Sequence, residues 1–575
     1  MIVLGKALWW RNAVGVALSI VTLLSQSQIA SAATNTAAAN IFESSVKPVA
    51  ECQIDKLVFA ELARLNIEPV LCSDAVFVRR AYIDVIGTLP TAKQARDFIQ
   101  DKAPDKRRVL IDQLLERDEF ADYWSMRWGD ILRIKAEFPV NLWPNAAQAY
   151  HRWVRASIAA NKPYDQFVRE MLTSSGSNFR VGPVNFYRAI QNRTPEGIAS
   201  AVALTFMGAR AEAWPTNELA NMAMFFSQIG YKPTGEWKEE HVFWDPLGAS
   251  QVAGSSAAGR AAIATIGLAS NNVAQLTFTN SPKAGERETK FPDGTKVTLT
   301  PDRDPRDVFA EWLISPRNPY FTRAVVNRVW AWLLGRGIVH EPDDIRLDNP
   351  PSNQPLLMHL ETEFVASRHD MKQLYRAILN SKTYQLSSMP RHNTPQAAAQ
   401  FASYPLRRLD AEVLIDAINQ VTGSSDLYTS PIPEPFTYIP ENMPAIAIAD
   451  GSITSPFLAL FGRSARATGM ESERNNRPVA AQWLHLLNSS HVQRKLDGGV
   501  KLRALIDSGR QTRVIAEELY LTILSRFPTP EELKTVETYG GVTLNKEGKP
   551  AAKKRDQWVD IAWGLINSSE FLYRH

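Results

Sequence analysis

The side chains with the most potential for chemistry lie on one otherwise apolar segment and in the loop that follows it. Arg323 and Asn327 are four residues apart and would share a helix face, with Arg328 beside them. A buried arginine needs a carboxylate partner, which Asp343 or Asp344 could supply from the loop. The sequence therefore predicts a polar network of these five residues. It is either a ligand site or a network that stabilises the fold, and the second interpretation is favoured.

The usual motifs of catalysis and metal binding do not occur in the sequence. The nine histidines are scattered, and His485 and His491 are six residues apart, which does not place them on one helix face. There is no Gly-x-Ser-x-Gly elbow, and the glycines at 254–259 lack the Lys-Ser/Thr pair of a phosphate loop. We therefore predict no metal site and identify no catalytic residue. The carboxylate pair of a glycoside hydrolase would be recognisable only in the fold.

Loop 341–349 is rich in oxygen atoms that could bind calcium. Its candidate ligands are Glu341, Asp343, Asp344, Asp348 and Asn349. Because the loop lacks the spacing of an EF-hand, a solvated or capping acidic loop is the favoured interpretation, and calcium binding is left open.

The two cysteines and the many tryptophans each allow two interpretations. Cys52 and Cys72 are the only cysteines, and in an oxidising compartment the simplest prediction is one disulfide, with two free buried thiols as the alternative. The fifteen tryptophans could stack on sugars or fill a helical core. We favour the core.

The first 32 residues are typical of a secretory signal peptide. Lys6 and Arg11 precede an apolar run over 13–24, and Ala30-Ser31-Ala32 forms a small-residue cleavage site. The run is too short for a bilayer span, which needs roughly 20 residues. We therefore predict an exported protein, periplasmic or extracellular, without a stable membrane span. The formal charge of +4 falls to +2 without Lys6 and Arg11, which argues against nucleic acid as a partner.

Apolar residues recur at spacings of three and four over most of the chain, which predicts a mainly α fold. We expect two helical domains with a small β insertion between them. The predicted boundaries are 1–32 for the signal peptide, 33–246, 247–304 for the linker and β segment, and 305–575. Alternating segments at 273–279 and 295–300, with a turn at Pro292-Asp293-Gly294, suggest the strands. A helix is also expected from Asn318-Pro319 to Leu334, ending at Gly335.

A short pattern occurs three times and indicates a helix end followed by a new turn. It reads Leu379-Asn380-Ser381, Leu487-Asn488-Ser489 and Ile566-Asn567-Ser568, each with a hydrophobic residue three positions after the serine. Asparagine tolerates the end of a helix and serine can cap the next turn. We interpret these segments as helix–turn units, not active sites.

Several long segments resemble a known pair of protein regions. The first half resembles the planctomycete cytochrome-associated domain of unknown function 1549, at 73–91 and 123–133. The second half is similar to domain of unknown function 1553. Its matching segments are 318–330, 334–337, 343–344, 349–353, 461–463, 517–526 and 567–572. The resemblance implies an exported bacterial protein, often linked to c-type cytochromes and encoded beside an exported sulfatase-like protein.

The chain departs from this family where relatives carry a haem motif. Many relatives have Cys-x-x-Cys-His shortly before a Met-Ala-x-Phe-Phe element, which is present here at 222–226. The preceding stretch, 208–221, contains neither cysteine nor histidine. Because c-type haem attachment needs two thiols and an adjacent histidine, we predict no covalent haem and no other cofactor.

These observations predict an exported, non-redox module that binds a partner protein or an envelope polysaccharide. A sulfatase-like protein encoded nearby is one candidate partner. The alternatives are a hydrolase acting on extracellular glycans, and a redox accessory that works with a haem-bearing partner. A cleft with two carboxylates would favour the hydrolase, and a shallow face would favour binding.

Overall fold

Helices are the main elements of the chain in the computed structural model, which describes residues 40–247, 286–541 and 553–575. The prediction of a mainly α fold with small β elements is confirmed. The predicted signal peptide and the predicted strand at 273–279 lie outside the described residues. Within the described ranges, no helix is both long and apolar enough to cross a bilayer.

Ten helices precede residue 247 in the described part of the first half. They are α1 Gln53–Arg64, α2 Asp74–Ile86, α3 Ala92–Gln100, α4 Lys106–Leu115, α5 Asp118–Ile131, α6 Pro144–Ala159, α7 Tyr164–Thr173, α8 Asn185–Arg188, α9 Pro195–Val202 and α10 Thr216–Ala223. Short 3-10 turns at 182–184, 211–213 and 224–226 and a π-turn at 203–207 connect the later ones.

Helices resume at residue 305. They are α11 Pro305–Leu313, α12 Phe321–Leu334, α13 Gln354–Ala366, α14 Met371–Asn380, α15 Pro395–Ala399, α16 Ala411–Thr422, α17 Pro456–Leu460, α18 Ala480–Asn488, α19 Ser490–Gly498, α20 Val500–Ile506, α21 Thr512–Ile523, α22 Pro530–Thr538, α23 Arg555–Ile566 and α24 Ser569–Leu572.

Helix α12 shows how local sequence sets the ends of these elements. It begins at Phe321, two residues after the predicted Pro319, because the Asn318 side chain accepts hydrogen bonds from the backbone N–H groups of Tyr320 and Phe321. It ends at Gly335, as predicted, where φ is +72°. A side chain at this left-handed position would be strained and would meet Arg407 at 2.7 Å.

Three small antiparallel sheets complete the described fold. Strands β1 Gly176–Ser177, β2 Ile229–Pro233 and β3 Glu240–Trp244 pair in the order β1-β3-β2. Strand β4 Arg287–Lys290 pairs with β5 Lys296–Leu299 around the predicted Pro292-Asp293-Gly294 turn. Strand β6 Arg407–Arg408 pairs with β7 Tyr573–Arg574, which draws the last residues of the second half into the interior.

Buried side chains from both halves form one continuous apolar core in the described part of the chain. Trp124 and Trp128 of α5 lie 5.5 and 5.4 Å, between ring centroids, from Trp332 of α12. Each of these rings is at most 3% exposed, so for them the core interpretation of the tryptophans is correct. The boundaries predicted for the two domains stay a prediction, but their side chains pack against one another.

Candidate functional site

The predicted five-residue network divides into separate contacts, and one predicted pair forms as expected. The guanidinium of Arg328 donates to Asp343 at 2.8 Å, and it also donates to the carbonyl oxygens of Thr205 and Leu204 at 2.8 and 3.3 Å. Arg328 is 0% exposed and Asp343 is 2% exposed. Burial alone would lower the pKa of Arg328, but Asp343 raises it, so the pair stays charged. The pair joins the two halves, since Thr205 belongs to the first.

The other members of the predicted network face elsewhere. Arg323 pairs with Glu361 of α13 at 2.7 Å, not with either loop aspartate. Asn327 exchanges two hydrogen bonds with the backbone of Val339, and Asp344 pairs with Arg346 at 3.0 Å. The prediction that these residues form one ligand site is therefore not supported by their geometry. The fold-stabilising interpretation agrees with the Arg328–Asp343 pair.

Loop 341–349 turns its polar groups toward protein partners. Asp343 accepts from Arg328 and from the backbone N–H of Glu471, and Asp348 lies 3.4 Å from Arg346. Asn349 donates to the carbonyl oxygen of Asp344. These contacts fit a capping loop. Among the described residues no group of three or more candidate metal ligands occurs, in this loop or elsewhere.

The predicted disulfide between Cys52 and Cys72 is wrong, because both thiols are free and have other neighbours. Cys52 donates its S–H to Asp55 Oδ2 at 3.3 Å at the start of α1. Cys72 is fully buried, and its sulfur lies 4.0 Å from the Arg107 guanidinium. Burial raises the pKa of Cys52 to about 11, so that thiol is protonated at neutral pH. The alternative of two free thiols is the one observed.

A larger buried charge cluster, which sequence reasoning missed, lies between the halves. Its members are Asp84, Arg127, Asp130, Asp410, Glu412, Arg463, Arg466, Arg474 and Arg574. Asp410 is 0% exposed and accepts from Arg127 at 2.7 Å, Arg574 at 2.5 Å and Asn476 at 2.7 Å. Burial would raise the pKa of Asp410, but the surrounding guanidinium groups hold it well below its usual range.

The rest of the cluster is equally well paired. Arg474 donates to Asp130 at 2.7 Å and to both oxygens of Glu412, at 2.6 and 3.0 Å. Arg574 donates to Asp84 at 2.7 Å. Because each carboxylate accepts from at least one arginine, the cluster has the chemistry of an internal fastening and offers no free nucleophile or base.

The elements that carry the cluster explain why the sequence concealed it. Asp84 and Asp130 lie on α2 and α5 of the first half, whereas Asp410 follows β6 and Arg574 lies in β7. Pairing of β6 with β7 places Arg574 beside Asp410, although 163 residues separate them in the chain. The available signal was charged residues inside strongly apolar helices, such as Asp84 in α2, where every residue from Val76 to Ile86 is buried.

A buried histidine beside the cluster should make stability depend on pH. His151 of α6 is 5% exposed, and its Nε2 has no hydrogen-bond partner among the described residues. Burial, with the positive charges of Arg466 and Arg155, lowers its pKa to about 3. In the unfolded chain a histidine titrates at about 6.5, so the unfolded state binds more protons as pH falls below that value.

We therefore expect the free energy of unfolding to fall as pH drops from about 6.5 toward 3, by up to about 1.4 kcal/mol per pH unit for each such histidine. His575, whose pKa burial also lowers to about 3, adds to this slope. His151→Gln should lose less stability than wild type between pH 7 and 5 in urea titrations. His392→Gln, at an exposed position, should retain the wild-type slope. Equal slopes for all three proteins would contradict the assignment.

An open polar groove runs along α6 and is the best candidate for a ligand site. Its volume is about 470 Å³, and its lining residues are Asn145, Gln148, Arg152, Phe179, Arg180 and Glu236. Asn145, Gln148 and Arg152 recur at spacings of three and four, which places them on one face of α6. Arg152 has no carboxylate within 4.0 Å in the described part of the chain, so its guanidinium is available to a ligand.

The small three-stranded sheet builds the opposite wall of the groove. Phe179 and Arg180 follow β1, and Glu236 lies in the turn between β2 and β3. Asn178 fixes these segments together, since its N–H donates to Glu240 O at 3.0 Å and its Oδ1 accepts from Glu240 N at 2.8 Å. Trp237, next to Glu236, is 70% exposed at this turn. An indole so exposed is suited to contact with a ligand.

A second cavity is apolar and far smaller. It holds about 30 Å³ between Trp124, Trp128, Tyr164, Phe167 and Tyr375, close to the volume of one water molecule. It is a packing gap in the shared core. Of these two cavities, only the groove on α6 has room for a ligand and polar groups to orient it.

The segment where relatives carry c-type haem does not fit that group here. It contains the 3-10 turn Ala211–Ala213 and the start of α10, and it supplies no thiol or imidazole. The two cysteines lie at the start of α1 and just before α2, at Cys52 and Cys72, each beside other polar partners. The donor set required for covalent haem and its iron ligand is therefore not provided by this segment.

Comparison with known proteins identifies two regions of the chain. Residues 53–226 match the family described as PSCyt2, protein of unknown function (DUF1549). Residues 305–539 match the family described as PSD1, protein of unknown function (DUF1553). No curated protein and no solved structure matches the chain. The matches agree with the predicted resemblance in both identity and order.

Proposed function

The chain carries the paired DUF1549 and DUF1553 regions, and from this premise we propose that it is an exported, non-redox binding protein for an envelope polysaccharide. The observation that carries the proposal is the groove on α6. It is open, it has a volume of about 470 Å³, and its lining is polar. A polymer can lie across an open groove of this kind, whereas a small metabolite is usually enclosed.

The lining suits the chemistry of a sugar chain. Hydroxyl groups are donors and acceptors at once, and the amides of Asn145 and Gln148 offer both functions. Trp237 presents a flat apolar face at the edge, which can cover the C–H face of a sugar ring. Side chains of these types together bind a sugar by its edge and by its face.

The charge of the groove favours an acidic polysaccharide. Arg152 and Arg180 contribute two positive charges and Glu236 one negative charge, which leaves a formal charge of +1. Guanidinium groups bind carboxylate and sulfate oxygens through paired hydrogen bonds. A sulfated or uronic acid polymer is therefore the expected ligand class, and binding should weaken as salt concentration rises.

The groove supports binding over glycan hydrolysis. Glycoside hydrolases use two carboxyl groups about 5 to 10 Å apart across the scissile bond. The lining of this groove contains one carboxylate, Glu236, and the smaller cavity contains none. The exported location, the sulfatase-like partner and the redox accessory role remain separate predictions.

A partner protein is the second candidate, and α18 is the observation that favours it. Leu484 and Leu487 on this helix are 59% and 41% exposed, and Val479 just before it is 48% exposed. Neighbouring exposed apolar side chains on one helix are typical of a contact surface. A loss of partner capture upon Leu484→Ser, with polysaccharide binding unchanged, would separate this role from that of the groove.

The groove is tested by electrophoresis through gels that contain a sulfated galactan, a polyuronate or a neutral glucan. Wild type should be retarded by at least one acidic polymer and less by the neutral one. Arg152→Ala should weaken this binding about tenfold or more, because a hydrogen bond to a charged group contributes about 1.5–3 kcal/mol. Trp237→Ala should also weaken it.

Matched controls lie outside the groove. Arg64→Ala removes an arginine whose side chain is 76% exposed on α1, and Tyr438→Ala removes an aromatic residue that is 73% exposed. Both should bind as wild type does. If no polymer retards wild type, or if Arg152→Ala and Trp237→Ala are retarded as strongly as wild type, the proposal is wrong.

A further inference from the structure

Two histidines that the sequence placed on different helix faces meet at a helix–turn unit. His485 lies on α18 and His491 on α19, and the helices are separated by Ser489. The Ser489 N–H donates to the His485 carbonyl at 3.0 Å, and its Oγ accepts from Val492 N at 3.3 Å. The turn brings His485 Nε2 to 3.4 Å from His491 Nδ1.

The third member of this group fixes the orientation of one ring. His491 Nε2 lies 2.7 Å from Asp426 Oδ1, so that nitrogen carries the proton and donates it to the carboxylate. Lys495 Nζ lies 3.0 Å from the other oxygen of Asp426. Burial would raise the pKa of Asp426, but His491 and Lys495 keep it below its usual value. The lone pair of His491 is therefore on Nδ1, facing His485.

The distance between the two facing nitrogens fits a metal better than a hydrogen bond. N–H donors and their acceptors normally lie about 2.7–3.2 Å apart. Two imidazole nitrogens bound to one tetrahedral Zn²⁺, each at about 2.0–2.1 Å, lie about 3.4 Å apart. The 3.4 Å separation of His485 Nε2 and His491 Nδ1 equals that edge.

We propose that His485 and His491 form a binding site for a divalent transition-metal ion such as Zn²⁺, with Asp426 as the carboxylate that orients His491. This arrangement of carboxylate, histidine and metal is the common outer partner of imidazole ligands. Imidazole nitrogens select zinc, copper or nickel over calcium and magnesium. The site is independent of the groove on α6 and of any polysaccharide.

The surroundings of the site support access by an ion. The His491 side chain is 27% exposed, and the rings of Phe457 and Phe461 lie 5.6 and 6.0 Å from His485. Burial and the neighbouring His491 lower the pKa of His485, which keeps that imidazole neutral at pH 7 and able to bind a metal.

The two histidines leave coordination positions open. In the described ranges no third histidine, cysteine or carboxylate completes a metal-ligand group. Water or an external ligand would therefore occupy the remaining positions of a tetrahedral ion, as at open zinc sites.

The test is titration of the purified, chelator-treated chain without a histidine tag, using Co²⁺ absorption and competition by Zn²⁺. Wild type should bind one ion with tetrahedral Co²⁺ bands. His485→Ala and His491→Ala should lose that site, and Asp426→Asn should weaken it by about 10–100-fold. His392→Ala, which removes an exposed histidine, should bind as wild type does.

A second measurement keeps folding separate from binding. Thermal unfolding without metal should be similar for wild type and His485→Ala, and added Zn²⁺ should raise the melting temperature of wild type alone. A histidine pair joined only by a hydrogen bond predicts no ion uptake by wild type. That result, or equal uptake by wild type and His485→Ala, would overturn the proposal.

Discussion

Replacing Asp410 by asparagine should lower the free energy of unfolding by about 3–5 kcal/mol. Asp410 is 0% exposed and accepts from Arg127, Arg574 and Asn476 at 2.5–2.7 Å. The variant keeps the shape of the side chain but removes the charge that balances two buried guanidinium groups. Because Arg127 belongs to the first half and Arg574 to the second, the loss should be seen in a single cooperative transition. Urea unfolding at pH 7, followed by tryptophan fluorescence, measures it.

The control for this variant is an exposed aspartate. The Asp348 side chain is 74% exposed and lies 3.4 Å from Arg346, so Asp348→Asn should change stability by less than about 0.5 kcal/mol. If Asp410→Asn fails to fold, Asn476→Ala, which removes one donor to Asp410, should still cost about 1.5–3 kcal/mol. An Asp410→Asn protein as stable as wild type would show that the cluster does not fasten the halves.

The second large effect is expected at Arg328. Arg328→Met should destabilise the protein by about 3–5 kcal/mol, because it leaves Asp343 as a buried charge without its arginine. It also removes the two hydrogen bonds to the carbonyl oxygens of Thr205 and Leu204. Urea unfolding gives the free energy, and methionine keeps most of the apolar volume so that the lost charge is the main change.

The same helix offers a matched control for Arg328. Arg323 pairs with Glu361 where both side chains are partly exposed, at 29% and 21%, so Arg323→Met should cost about 1 kcal/mol or less. The double variant Arg328→Met with Asp343→Asn should lose less stability than the two single losses combined, since the pair is removed together. Equal costs for Arg323→Met and Arg328→Met would contradict the structural account.

Sequence reasoning succeeded where a contact depends on nearby residues. The spacing of apolar residues predicted helices, and Gly335 correctly marked the end of α12. The three Asn-Ser patterns each stand at the end of a helix, and Ser489 and Ser568 cap the helix that follows. One long-range pair, Arg328 with Asp343, was also predicted, because only 15 residues separate its members.

Sequence reasoning failed where a contact depends on the path of the whole chain. The two cysteines were expected to be bridged, but Cys52 bonds to Asp55 and Cys72 lies against Arg107. Arg323 and Arg328 lie on one helix, yet they pair with carboxylates on different elements. Composition fixes neither which buried charges meet nor which thiols approach one another.

The sequence by itself determined the helical character of this protein, its capped helix ends and its likeness to a paired family. These properties depend on residues within a few positions of each other, where spacing sets which side chains share a face. The tertiary structure alone decided that Asp410 meets Arg127 and Arg574, that His485 faces His491, and that a groove opens beside α6. Those contacts form only when distant segments pack, because burial forces each charge to find its partner in space, wherever that partner lies along the chain.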